Sequence, residues 1–151
     1  MAVLPIITNI KQLRIPCKHV EAGEDIKQIL IDLKDTCIAK GGWGISHNQL
    51  GGDKCISYIH VPFKDVFVER YIINAEIIEH DKKFTWDEGC ISFKGLFVKT
   101  DRWIFITAQY QDENLKPQIE CFQDYVSFAV QHEVDHQNGK IFFMDRKHRA
   151  C

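Results

Sequence analysis

The sequence predicts an α+β fold: antiparallel strands packed around a central metal-binding helix, with an N-terminal helix covering the sheet. Three stretches carry that expectation. Glu24 to Lys40 is apolar at helical spacing, Cys55 to Tyr110 is rich in alternating, β-branched and aromatic residues, and Glu120 to Asn138 is apolar on nearly every side. A chain of 151 residues suits one domain, spanning 1–151, with one sizeable core.

Residues 1–23 hold Pro5, Pro16 and Gly23 and little periodicity, so an irregular lead-in with a short helix around Ile10 is expected. From Glu24 to Lys40, Ile26, Ile29, Leu30, Leu33, Cys37 and Ile38 recur every three or four residues, and Gly41-Gly42 ends the helix they define. Gly42 to Gly52 then packs four glycines into eleven residues, which allows unusual dihedrals and close approach of another chain. That loop lacks the lysine and hydroxyl of a phosphate-binding motif, so nucleotide binding is set aside. Strands are expected at Cys55–Val61, Val66–Val68 and Tyr71–Asn74, with Pro62 and Glu69-Arg70 as punctuation. Asn74 to Trp86 reads as further strand and turn, and Trp103 to Tyr110 as another strand. Gln118 to Phe122 leads into the central helix, where Phe122, Val126, Val130 and Val134 form an i, i+4 stripe. Asn138-Gly139 stops it, and Lys140 to Asp145 reads as a last short strand before a basic tail.

A formal net charge of −2 without blocks of like charge argues against nucleic acid or a membrane surface as partner. No apolar run approaches the about 20 residues that span a bilayer, and the first ten residues show no targeting signal. The six cysteines include no Cys-x-x-Cys pair and no dense cluster, which fits a reducing, cytoplasmic setting with most of them acting as small core residues.

The chemistry concentrates on the central helix. His132 and His136, four residues apart, stand one above the other and can point at one metal ion, with Glu133 placed to act on a metal-bound water. Two imidazoles and a carboxylate on a buried helix carry a desolvation cost that a metal would offset. Two protein ligands rarely make a tight site, so a third is needed from among His19, His47, His60, His80, His148 and the cysteines. Cys90, preceded by Glu88-Gly89 at a strand end, stands out, and His47 beside the glycine-rich loop is its rival.

Three stretches together resemble the peptide deformylase family. Gly42-Trp43-Gly44-Ile45-Ser46-His47-Asn48-Gln49 is similar to its first motif, Glu88-Gly89-Cys90-Ile91-Ser92 to its second and His132-Glu133-Val134-Asp135-His136 to its third. Their order and spacing fit, and Leu13-Arg14-Ile15-Pro16 and Asn138-Gly139-Lys140-Ile141-Phe142 extend the likeness over most of the chain. The resemblance implies that Cys90, His132 and His136 hold one divalent metal, iron(II) in the cell, with zinc, nickel or cobalt as replacements. It implies that Glu133 is the general base for removing the formyl group of N-formylmethionyl peptides, and that Gln49 and the backbone N–H of Ile91 meet the oxyanion. Trp43, Gly44, Trp86, Gly89, Tyr125, Phe128 and Ala129 would receive the substrate, while Glu88, Arg102 and Asp135 would support the ligands from behind. A monomer working on nascent peptides as the ribosome presents them follows from the same likeness.

The chain departs from the family at three places. Ser46 and His47 replace two alanines, Phe93-Lys94-Gly95-Leu96-Phe97 replaces a proline-containing turn and an arginine, and the chain ends soon after the third motif. The first puts the conformation of the glycine-rich loop in question, and the second assigns the distal end of the peptide to Lys94 or Lys99. The third matches a compact form lacking a C-terminal helix, as in a virus of bacteria acting in its host's cytoplasm. Two rival readings are a zinc endopeptidase, because His-Glu-x-x-His also serves proteases, and a catalytically silent metal- or peptide-binding protein.

Overall fold

The structure is a computed structural model and describes residues 3–143. In chain order the elements are α1 (Ile10–Leu13), α2 (Lys27–Ala39), β1 (Gly44–Ser46), a 3-10 turn (His47–Leu50), β2 (Ile56–Phe63), β3 (Val66–Glu88), β4 (Val98–Gln111), β5 (Pro117–Gln123) and α3 (Asp124–Gln137). The five strands form one sheet in the order β1-β2-β3-β4-β5, and every neighbouring pair is antiparallel. The expected α+β architecture is present.

Helix α3 lies against the sheet through Val126, Ala129, Val130 and Val134, which meet Ile59, Val61, Ile72, Ile106, Ala108 and Phe122 in one buried cluster. Helix α2 covers the β1–β2 end, where Leu33 and Cys37 join Ile45, Ile56, Tyr58 and Ile73. The apolar periodicities of the two helices therefore define the two halves of the core, because each must bury its stripe against a sheet face. Among the described residues no helix is long and apolar enough to cross a membrane.

Several boundaries differ from expectation: α2 begins at Lys27 and β4 at Val98, and Pro62 lies inside β2 instead of punctuating it. The central helix starts at Asp124 rather than Glu120, because Glu120–Gln123 is already committed to β5, where Phe122 pairs with Ile106. The segments from Val66 to Glu88 are one 23-residue strand, not several. Glu69 and Arg70 do not punctuate it, since their side chains reach across the surface to Lys34 and Glu120. The β3–β4 register shifts between Ile73 and Glu76 and again between Ile77 and Glu79, with Asn74 at φ +51°, so the pairing is bulged there without the strand ending. The last strand is absent where it can be judged: Lys140–Phe143 is coil and turn, and Met144 and Asp145 lie outside the described residues. Ile141 and Phe142 instead bury themselves beside Leu13. This brings the Leu13–Pro16 and Asn138–Phe142 stretches together, and the Cys17 N–H donates to the Gln137 carbonyl at 2.9 Å.

Candidate metal centre and substrate cleft

The histidines of α3 face the end of β3, where the chain leaves the sheet through Gly89 and Cys90. Cys90 Sγ lies 3.5 Å from His136 Nε2, which lies 3.2 Å from His132 Nε2. Ligands at about 2.0–2.1 Å (nitrogen) and 2.3 Å (sulfur) around one tetrahedral ion are separated by about 3.3 Å for two nitrogens and about 3.6 Å for nitrogen and sulfur. The two separations about His136 are therefore those a tetrahedral ion would impose, and all three ligand atoms lie within 4.8 Å of one another. Among the described residues this trio is the one His/Cys/carboxylate group close enough to share an ion. His47, the rival third ligand, is turned away: its Nδ1 accepts the Lys54 N–H at 3.1 Å, and its ring occupies space a Cβ on Gly52 would fill, 2.0 Å from Nε2.

Behind the ligands sits a buried ionic network. Glu88 Oε2 is 2.5 Å from His132 Nδ1, which leaves Nε2 to face Cys90 and His136. Arg102 grips Glu88 through both oxygens, at 2.7 and 2.6 Å, and Asp135 Oδ2 at 2.7 Å. Thr100 adds a hydroxyl at 2.9 Å. Burial alone would raise the Glu88 carboxyl, but the Arg102 hydrogen bonds and the His132 charge hold it well below the usual range. Burial would lower His132, yet Glu88 and Cys90 raise it, while burial and the His132 charge push His136 down. An ionised Glu88 thus fixes the orientation of His132, as carboxylates do behind metal-ligating histidines.

Glu133 points from α3 toward β1. It is buried, and desolvation pushes its carboxyl up to about 7 against the opposing influence of His132 and Ser46. A Cβ on Gly44 would meet Glu133 Oε2 at 2.5 Å, so only glycine lets the carboxylate lie this close to the edge strand. Gln49 lies beside Cys90: its Oε1 accepts the Ser46 N–H at 2.9 Å, and its Nε2 points to Ser92 Oγ at 3.0 Å and Cys90 Sγ at 3.5 Å. The Ile91 N–H donates to no backbone carbonyl among the described residues.

A cavity of about 780 Å³ opens onto this centre. Trp43, Gly44, Trp86, Gly89, Phe128 and Ala129, all expected, line it. Tyr125 does not; it is half exposed at the rim, its ring 5.5 Å from Trp43 and 5.8 Å from Trp86. Of the two lysines expected at the distal end, Lys94 lines the cavity, whereas Lys99 pairs with Asp87 on the surface. Lys40 and Phe97 also line it and were not anticipated, because neither belongs to a motif. Ser57 and Gln137 belong to no motif and were missed for the same reason; Ser92 closes the second motif without a role assigned to it, and Ser46 bore only on loop conformation.

A sequence model of the polypeptide deformylase family matches residues 3–150. The chain is 35% identical over 120 residues to a peptide deformylase of Elusimicrobium minutum, covering 76% of this chain and 68% of that one. The solved peptide deformylase of Ehrlichia chaffeensis in complex with actinonin superposes with a TM-score of 0.88 at 31% identity, over 99% of this chain and 93% of that one. The enzyme of the Vibrio parahaemolyticus bacteriophage VP16T, also in complex with actinonin, gives 0.82 at 28% identity, over 93% and 99%.

Proposed function

The chain belongs to the polypeptide deformylase family and is an enzyme that removes the N-formyl group from nascent peptides; from that premise we propose how its own residues do so. Enzymes of the family depend on a metal, and Cys90, His132 and His136 are the residues that would hold it here, as a single catalytic domain over 1–151. Thiolate with two imidazoles favours iron(II), zinc, nickel or cobalt over magnesium or calcium, and by likeness to the family iron(II) is the ion proposed in the cell, with the other three as substitutes. Such an ion lowers the pKa of water and polarises the formyl carbonyl.

Glu133 takes the proton of the attacking water and returns it to the departing amine, so formate leaves as the peptide gains its free N-terminus. Gln49 Nε2 and the Ile91 N–H meet the developing oxyanion. The peptide adds as a strand to the open edge of β1 beside Gly44 and runs past Gly89, its methionine entering the apolar space between Trp43, Trp86, Phe128 and Ala129. Tyr125 closes the rim, and Lys94 holds the distal end. The proposal extends to a cytoplasmic monomer acting on chains as ribosomes present them. Actinonin, which occupies the Ehrlichia chaffeensis relative, is expected to bind this cleft as well.

The observation that carries this reading is the convergence of Sγ and two Nε2 atoms beside a buried carboxylate at the floor of the cleft. Protein purified anaerobically and loaded with iron(II) or nickel is offered formyl-Met-Ala-Ser, its acetylated analogue and a peptide with only internal bonds. Formate from the first alone is expected. Internal cleavage would restore the protease reading, and metal-loaded protein without formate release would restore the silent one.

A further inference from the structure

The side chains of Gln137, Ser57, Ser46 and Glu133 form a continuous buried chain linking the last residue of α3, β2, β1 and the general base. Gln137 Nε2 donates to Ser57 Oγ at 2.9 Å, Ser57 Oγ lies 2.5 Å from Ser46 Oγ, and Ser46 Oγ lies 3.0 Å from Glu133 Oε1. All four residues are almost fully buried.

The direction of this chain is fixed at its two ends, by the backbone around Gln137 and by the carboxylate of Glu133. The Gln137 Oε1 accepts the Ala75 N–H at 3.1 Å, and its Nε2 donates one proton to the Ile72 carbonyl at 2.9 Å. An amide pinned at both ends cannot flip, so its second Nε2 proton must go to Ser57. At the other end the ionised Glu133 carboxylate can only accept, so the single Ser46 hydroxyl proton goes to Oε1 and Ser46 in turn accepts from Ser57. The alternative acceptor for Ser46, the Glu133 backbone carbonyl, is longer at 3.4 Å. Glu133 Oε1 is thereby an occupied acceptor, and Oε2, against Gly44, is the oxygen left for chemistry.

We propose that Ser46, Ser57 and Gln137 are positioning residues that polarise hydrogen bonds one way onto Glu133 Oε1, so that Oε2 alone takes the proton from water and returns it to the leaving amine. The inference rests on Glu133 as general base. It gives Ser46, which stands where the family usually has alanine, a role in catalysis through Glu133 rather than through the loop.

Ser46→Ala, Ser57→Ala and the double variant are compared with the parent as metal-loaded proteins, by kcat and KM for formyl-Met-Ala-Ser, bound metal and melting temperature. Misorienting one reacting group costs about 10- to 100-fold in rate. Ser46→Ala is expected to lose about that in kcat at unchanged KM and metal content, and Ser57→Ala somewhat less. The double variant should be no slower than Ser46→Ala, since both act through one chain. Ser46→Thr, which keeps the hydroxyl, should recover most of the loss. A kcat within twofold of the parent in Ser46→Ala, additive losses in the double variant, or losses that track bound metal would overturn the proposal. Glu133→Gln separates the two levels: if it abolishes turnover while Ser46→Ala is normal, only this inference fails, and if it stays active the base itself is misassigned.

Discussion

Arg102→Met tests whether the ionic network behind the ligands supports both fold and metal. Arg102 is 4% exposed and Glu88 1% exposed, and the guanidinium makes three charge-assisted bonds at 2.6 to 2.7 Å to Glu88 and Asp135. Methionine fills the space but leaves the Glu88 carboxylate buried against a single partner, His132 Nδ1, and two neutral donors. Removing one member of a buried ion pair costs about 3–5 kcal/mol, mostly as the desolvation of the group left behind. For a chain of this size about 2–4 °C of melting temperature goes with each kcal/mol, so a fall of about 6–20 °C is expected. Metal affinity should drop about 10- to 100-fold, because Glu88 no longer holds His132 in one orientation. Thermal unfolding with and without metal, and competition with a chelator of known affinity, read the two effects. Adding Glu88→Gln to Arg102→Met should recover part of the melting temperature by removing the orphaned charge, but none of the metal affinity. A single variant that melts within about 2 °C of the parent would refute the reasoning.

Gly44→Ala places a methyl 2.5 Å from Glu133 Oε2, so the carboxylate must swing away; kcat should fall by about 100-fold with bound metal unchanged, as steady-state assays with metal analysis would show. The pH dependence of stability follows from Glu88. Its carboxyl is held below the ordinary 4.5, so its contribution is complete above that value and is lost as pH falls toward the folded-state value. Melting curves of metal-free protein should therefore decline more steeply below about pH 4.5 for the parent than for Glu88→Gln.

Legibility from sequence followed the range of the interaction. His132, Glu133 and His136 could be read because one helical turn brings i and i+4 together, and the core stripe of α3 obeys the same geometry. Choosing Cys90 over His47 could not be done by spacing, since the ligand arrives from 42 residues away; the motif resemblance selected it, and the 3.5 Å approach to His136 agrees. The continuity of β3 was hidden because charged Glu69 and Arg70 look like turn residues, although a strand's solvent face carries them readily. The start of α3 was placed too early because Phe122 continues the helical stripe while lying in a strand that faces the same core. The alignment of Ser46, Ser57 and Gln137 had no local signal at all, because it exists only once β1, β2 and the end of α3 are stacked.

The measurement that bears most directly on the account is the pair of bound-metal stoichiometry and formate release in Glu133→Gln. Glutamine keeps the shape of the residue and leaves Cys90, His132 and His136 untouched, but it cannot accept the proton of water. One metal per chain with turnover reduced by about 10²- to 10⁴-fold is the predicted result. Near-parental formate release from a fully loaded variant would contradict the assignment of Glu133 and the mechanism built on it.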